Sequence, residues 1–295
     1  MEDLIIYEKI ELHSPYLIMG FYGWPNAGEV ATNTLTYLIK HLPADPYGEI
    51  NPEEFYVLTT SEYARPQGVI EKGVLKNFDP PGTLLYCWKN KQGNDLILIL
   101  GREPDIKWKK YTDTILDFFS RFGLKKVFTI GGEYALVPHT RDPRISAVVN
   151  NEKLKEELSG LNVEFTDYSG PTSIHTYILL ACRVRGIDCT GLWGDTPNYI
   201  QMSNPKVSYF MLERLTKLLE IDISLEEIKK EGEHFEQQIS RAIAQKPEAQ
   251  EFLKKLEEIY DESEKSSGPD KREIEDLIKG VEDFLRQDGQ GPTQN

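Results

Sequence analysis

Cysteine is scarce in this chain. The three in 295 residues are Cys87, Cys182 and Cys189; none forms a Cys-x-x-Cys pair or stands at metal-site spacing from a histidine. That excludes a disulfide framework and a zinc-finger pattern, and leaves buried core thiols as the reading. The odd count and the lack of a signal-peptide pattern lead us to expect a reducing cytoplasm. No apolar stretch approaches the roughly 18–20 residues of a membrane span, so no membrane partner is expected. Basic residues are outnumbered, 34 Lys and Arg against 48 Asp and Glu, for a formal charge of −14. A chain of that sign repels phosphate backbones, so no nucleic-acid partner is expected. The Gly-x-Gly-x-x-Gly and Gly-x4-Gly-Lys-Ser/Thr patterns are missing, as is a Gly-x-Ser-x-Gly elbow. From these absences no cofactor and no metal are expected, and no catalytic residue is assigned.

The chain is long enough to bury a sizeable core without cross-links. Its acidity is uneven. Residues 222–295 hold 20 acidic and 11 basic side chains, a net of −9, which leaves −5 (−14 minus −9) for residues 1–221. The pattern of elements changes at the same place. Residues 4–10, 16–21, 55–60 and 126–130 read as strands, and so does 187–193. Residues 84–88 and 95–100 read as an antiparallel hairpin about a turn at 91–94. Residues 63–81, punctuated by Pro66, Gly68, Gly73, Pro80 and Pro81, read as irregular. Helices are expected over 26–41, 108–122, 151–159, 174–185 and 206–220, the fourth capped by Thr172 or Ser173 and the last opened by Pro205. Strands alternating with helices indicate an α/β layer fold with a mostly parallel central sheet. Beyond residue 221 the sequence reads as charged, weakly amphipathic helices over 224–244, 247–260 and 271–286. Ser224 opens the first with a capping box, and residues 288–295 read as disordered. Two parts are therefore expected: an α/β domain, 1–221, and an acidic helical extension, 222–295.

Four polar clusters each follow a strand-like run. They are Gly23-Trp24-Pro25-Asn26-Ala27-Gly28-Glu29, Gly101-Arg102-Glu103-Pro104-Asp105, the stretch from Gly131-Gly132-Glu133 to His139-Thr140-Arg141, and Gly194-Asp195-Thr196-Pro197-Asn198-Tyr199. In a parallel sheet such loops meet on one edge, where ligands bind. The first cluster leads into a helix N-terminus, which suits an anion or carboxylate; it also reads as a tight turn with Asn26 as cap. Glu133, His139 and Arg141 together suit anion binding or acid–base chemistry, or pin the loop by pairing Arg141 with Asp142 or Glu133. The ligand-binding candidates are Asn26, Glu29, Arg102, Glu133, His139, Arg141 and Asp195.

The same clusters, with Arg65-Pro66, Trp108, Val137-Pro138 and Tyr168-Ser169-Gly170-Pro171-Thr172, resemble the proteasome assembly chaperone 2 family over residues 5–219. The resemblance implies a phosphorylase/hydrolase-like three-layer α/β fold, similar to that of purine nucleoside phosphorylases. It implies homo-oligomers, often trimers, and no settled enzymatic activity. Archaeal and eukaryotic members of that family act in proteasome assembly, some through a C-terminal hydrophobic–Tyr–any motif. This chain ends Gly-Pro-Thr-Gln-Asn without that motif, which puts docking of that kind in doubt. Two readings follow. One is an oligomeric protein-binding or assembly factor whose acidic helical tail contacts a partner. The other is a small-molecule binder of nucleoside- or anion-like ligands, or a phosphorylase/hydrolase-type enzyme, with its site at the strand C-termini.

Overall fold

A computed structural model describes residues 3–59, 65–91 and 93–263. Its centre is an eight-stranded sheet in the order β1 (Leu4–Ile6), β3 (Asp45–Ile50), β6 (Thr83–Trp88), β7 (Leu96–Arg102), β2 (Tyr16–Tyr22), β8 (Lys126–Ala135), β10 (Asp188–Pro197) and β9 (Ile145–Val149). The four central strands β7, β2, β8 and β10 run parallel. The flanking strands join antiparallel. Runs such as Leu17-Ile18-Met19 and Leu96 to Ile99 are buried throughout, as a strand covered on both faces requires.

Alternation along β2 assigns the layers. Leu17, Met19 and Phe21 pack with α2 (Trp108–Ser120) and α4 (Ile174–Arg185). Ile18 packs with α1 (Val30–His41) and α5 (Pro205–Leu219). Each fully buried Leu or Ile contributes roughly 1.5–3 kcal/mol by leaving water. The result is the three-layer fold the sequence indicates, with the C-terminal ends of the four parallel strands on one edge.

The extension continues the fold. In α6 (Glu226–Ile243), Ile228, Gly232 and Phe235 form one buried stripe against α5. Gly232 permits the approach, since a Cβ there would lie 2.9 Å from Lys206 Cα. α7 (Pro247–Ser263) buries Leu256 and Tyr260. Ser224 Oγ accepts from Glu226 N–H at 3.4 Å, one residue short of the expected capping-box geometry. The helix expected over 271–286 and the end segment 288–295 lie outside the described residues.

Other boundaries differ for local reasons. Residues 55–59 form no strand: Asn51 and Pro52 open a short 3-10 turn, and Phe55 and Tyr56 are buried beyond it. Tyr56 Oη donates to the Arg102 carbonyl at 2.8 Å, fixing that turn. The strand of this region is β3, passed over in the sequence reading, whose Asp-Pro-Tyr-Gly start forms a ladder bulged at Pro46/Gly48. The stretch expected to be irregular contains a hairpin, β4 (Gln67–Glu71) and β5 (Val74–Asp79). Its loop is Lys72-Gly73, both at positive φ, as a two-residue hairpin turn requires. β9 is a strand the sequence reading passed over. α3 (Leu154–Glu157) is one turn of the longer helix expected there. No helix among the described residues is long and apolar enough to cross a membrane.

Candidate binding cleft

β8 and β10 run past their expected ends. Gly131-Gly132-Glu133 and Gly194-Asp195-Thr196 are paired strand, not loop. The glycines explain why. A Cβ on Gly131 would meet the Trp193 ring at 2.5 Å, and one on Gly132 would meet the Ala27 carbonyl at 2.3 Å. The loop after β2 is thereby drawn against β8, with Gly132 N–H donating to the Pro25 carbonyl at 2.9 Å. Beside this edge, on the α4 face, opens a cleft of about 860 Å³, within the range of small-molecule sites. Trp24, Tyr134, Tyr168 and Trp193 form much of its wall.

Asn26, Glu133 and Asp195 line this cleft. Asn26 is engaged: its Oδ1 accepts Thr32 N–H at 3.1 Å and its Nδ2 donates to Thr32 Oγ1 at 3.1 Å. It therefore serves the first turn of α1 as a cap, and that amide is not open to an anion. Glu133 and Asp195 are register partners on adjacent parallel strands. Neither carboxylate has a hydrogen-bond or ion-pair partner among the described residues. Burial, then the neighbouring Glu133 charge, pushes Asp195 up to about 7. Burial raises Glu133 as well.

The other candidates stand elsewhere. Glu29 is exposed, in left-handed backbone at φ 56, and caps α1 without a side-chain bond. Arg102 pairs with Asp105 at 3.3 Å. His139 and Arg141 are occupied by the extension. His139 N–H donates to Tyr199 Oη at 2.8 Å, and the same hydroxyl lies 2.8 Å from Nδ1. The hydroxyl therefore donates to Nδ1, and Nε2–H faces Ser240 Oγ of α6 at 3.1 Å. Burial pushes His139 down to about 4, so it stays neutral. Arg141 holds Asp261 of α7 with two bonds of 2.8 Å and reaches Glu257 at 3.4 Å, a fork geometry suited to carboxylates. Lys206 Nζ donates to the carbonyls of His139 and Arg141 and to Glu236 of α6. Residues 139–141 of the loop between β8 and β9 are thus a socket for the helical extension and do not line the cleft.

Sequence reasoning missed several cleft residues. Arg144 stacks on the Tyr260 ring at 4.3 Å and donates to Ser263, joining the cleft wall to α7. Ser146, on the unrecognised β9, also lines the cleft, as do Glu164 and Tyr168. The short run Ile-Ser-Ala-Val-Val was the available signal for β9. Glu103, passed over among the candidates, accepts Ile174 N–H at 2.8 Å and caps α4. Among the described residues no three His, Cys, Asp or Glu side chains could together hold a metal.

Fold and cleft define a three-layer α/β protein with a strand-end pocket and a helical extension folded across one side. The chain belongs to the PAC2 family, whose model matches residues 20–243. It is similar to a PAC2 family protein of Streptomyces avermitilis, 26% identical with a TM-score of 0.68, covering 77% of this chain and 95% of that one. A proteasome-assembly chaperone homologue of Mycobacterium tuberculosis is 25% identical with a TM-score of 0.73, covering 81% and 99%. PbaB of Pyrococcus furiosus, an archaeal proteasome activator, shares the fold at 23% identity and a TM-score of 0.63, covering 82% and 99%. An uncharacterized protein of Methanocaldococcus jannaschii is 24% identical over 237 residues, 80% of this chain and 89% of the relative.

Proposed function

We propose that this chain is a homo-oligomeric protein-binding factor, of the assembly-chaperone kind found among its relatives, acting in the cytoplasm. The observation that carries it is the β4–β5 arm. Every residue of both strands is exposed, and Val69, Ile70, Val74, Leu75 and Phe78 are among the exposed large hydrophobics. A lone two-stranded hairpin is marginal in water, and large apolar side chains exposed together on one arm suit a contact surface. Covering it with another copy of the chain relieves both costs. The body, 1–221, carries the arm. The acidic extension, 222–295, supplies a second contact surface, which includes the outward faces of α6 and α7.

Light scattering on the purified chain tests this. The expected mass is a multiple of one chain, falling to one chain in an Ile70→Lys/Leu75→Lys/Phe78→Lys variant with unchanged circular dichroism. A monomeric wild type would defeat the oligomer reading. A second reading, a small-molecule site at the strand ends, is favoured by the cleft itself. Its carboxylates make an anionic ligand the less suited choice.

A further inference from the structure

Four carboxylates, Glu133, Glu164, Asp167 and Asp195, line the cleft against one cation, Arg144, which α7 already engages. Like charges directly opposite on neighbouring strands cost stability, and Glu133 and Asp195 are so placed. Among the described residues neither makes a hydrogen bond or ion pair, and Arg144 gives Asp195 only a longer-range attraction. A third group is also unused. Ser146 is only 4% exposed, lines the cleft, and its hydroxyl makes no hydrogen bond among the described residues. It pairs in register with Trp193, two residues before Asp195 on the same face of β10. With no protein partner among the described residues, the hydroxyl is free to accept from whatever occupies the cleft. Around these acceptors stand largely exposed aromatic rings: Trp24 is 63% exposed and Tyr168 69%.

We propose that the cleft binds a small organic cation, a primary ammonium on an apolar body. The ammonium sits among Glu133, Asp195 and Ser146, and the body lies against Trp24, Tyr168 and Trp193. An ammonium has three donors, and two carboxylates with one hydroxyl offer three unused acceptors. Aromatic faces attract the cation and cover its alkyl or aryl part. A divalent metal fits less well, because it needs more oxygen ligands than these. This ligand goes beyond the protein-binding role and does not depend on the arm.

Calorimetry on the full chain tests the assignment with butylammonium, 2-phenylethylammonium, putrescine and spermidine. 2-Phenylethanol and phenylacetate serve as neutral and anionic matches. At least one amine is expected to saturate one site and to change tryptophan fluorescence through Trp24 and Trp193. Its affinity should exceed that of the neutral and anionic compounds tenfold or more. Asp195→Asn and Glu133→Gln are each expected to weaken it at least tenfold, and Ser146→Ala several-fold, with thermal midpoints no lower than wild type for the two carboxylate variants. No binding by any amine, equal binding of the alcohol or acid, or indifference to the carboxylate variants would overturn the proposal. Preference for N-acetyl-lysine amide over every free amine would overturn the small-ligand assignment in favour of a partner's lysine.

Discussion

Replacing Asp195 with Asn removes a charge the fold holds at a loss, and the size of the loss follows from its proton affinity. Asp195 lies in the cleft wall beside Glu133, and burial plus that neighbour push it from 3.8 to about 7. The sign follows from which state deprotonates first. The unfolded chain ionises Asp195 near pH 4 and the folded chain near 7, so this group's contribution is neutral at low pH and turns unfavourable as pH rises between them. At pH 8 the accumulated cost is about 4 kcal/mol, and at pH 5 it is about 1.5–2 kcal/mol. Asn also buries polar atoms, at a cost of roughly 1–3 kcal/mol that does not titrate. The difference between the two pH values therefore isolates the charge, at about 2–3 kcal/mol. For a chain of this size that corresponds to roughly 3–5 °C in Tm. Differential scanning calorimetry of wild type and Asp195→Asn at pH 5 and pH 8 reads it directly. The variant should gain markedly over wild type on going from pH 5 to pH 8. A gain that is absent, or larger at pH 5, would refute the reasoning.

His139 moves in the opposite direction. Burial lowers it to about 4, so the stability it confers is complete above 6.5 and is lost as pH falls toward 4, about 2 kcal/mol by pH 5. Thermal melts should show wild type losing more between pH 7 and pH 5 than His139→Gln. Leu256 is 1% exposed on α7, and Leu256→Ala should cost about 2–4 kcal/mol. The loss should appear in hydrogen exchange as faster opening of residues 247–263 while α1 and β2 keep their protection; uniform loss across the body would show that α7 does not open separately. Lys206→Met leaves Glu236 and the carbonyls of His139 and Arg141 without their donor. A cost of about 2–4 kcal/mol is expected, measured by denaturant unfolding, and no change would discount the socket.

The strand–helix alternation was legible because each step has a local cause. Ser173 accepts His175 N–H at the start of α4, Pro205 opens α5, and the apolar runs of β2 and β7 fill a doubly covered sheet. The shared edge was legible as well, since four parallel strands place their loops together. What the sequence hid depends on distant partners. Gly131 and Gly132 read as a loop because glycine is usual there, yet they are strand residues that make room for Trp193 and Ala27. His139 and Arg141 read as site residues because their chemistry suits one. Their partners Ser240 and Asp261 lie in helices that residue spacing alone cannot dock. Ser146 carried no chemical signal until β9 placed it beside Trp193. The arm was read as irregular because its prolines and glycines dominate, although Lys72-Gly73 is a hairpin loop.

The central claim is that the arm of β4 and β5 is a protein contact surface. Hydrogen exchange of residues 67–79, followed across a hundredfold range of protein concentration, tests it most directly. The account requires amide protection in the arm to rise with concentration while protection in β2 and β8 stays constant. Arm amides exchanging at one rate at every concentration, in a chain whose mass is that of a single copy, would contradict it.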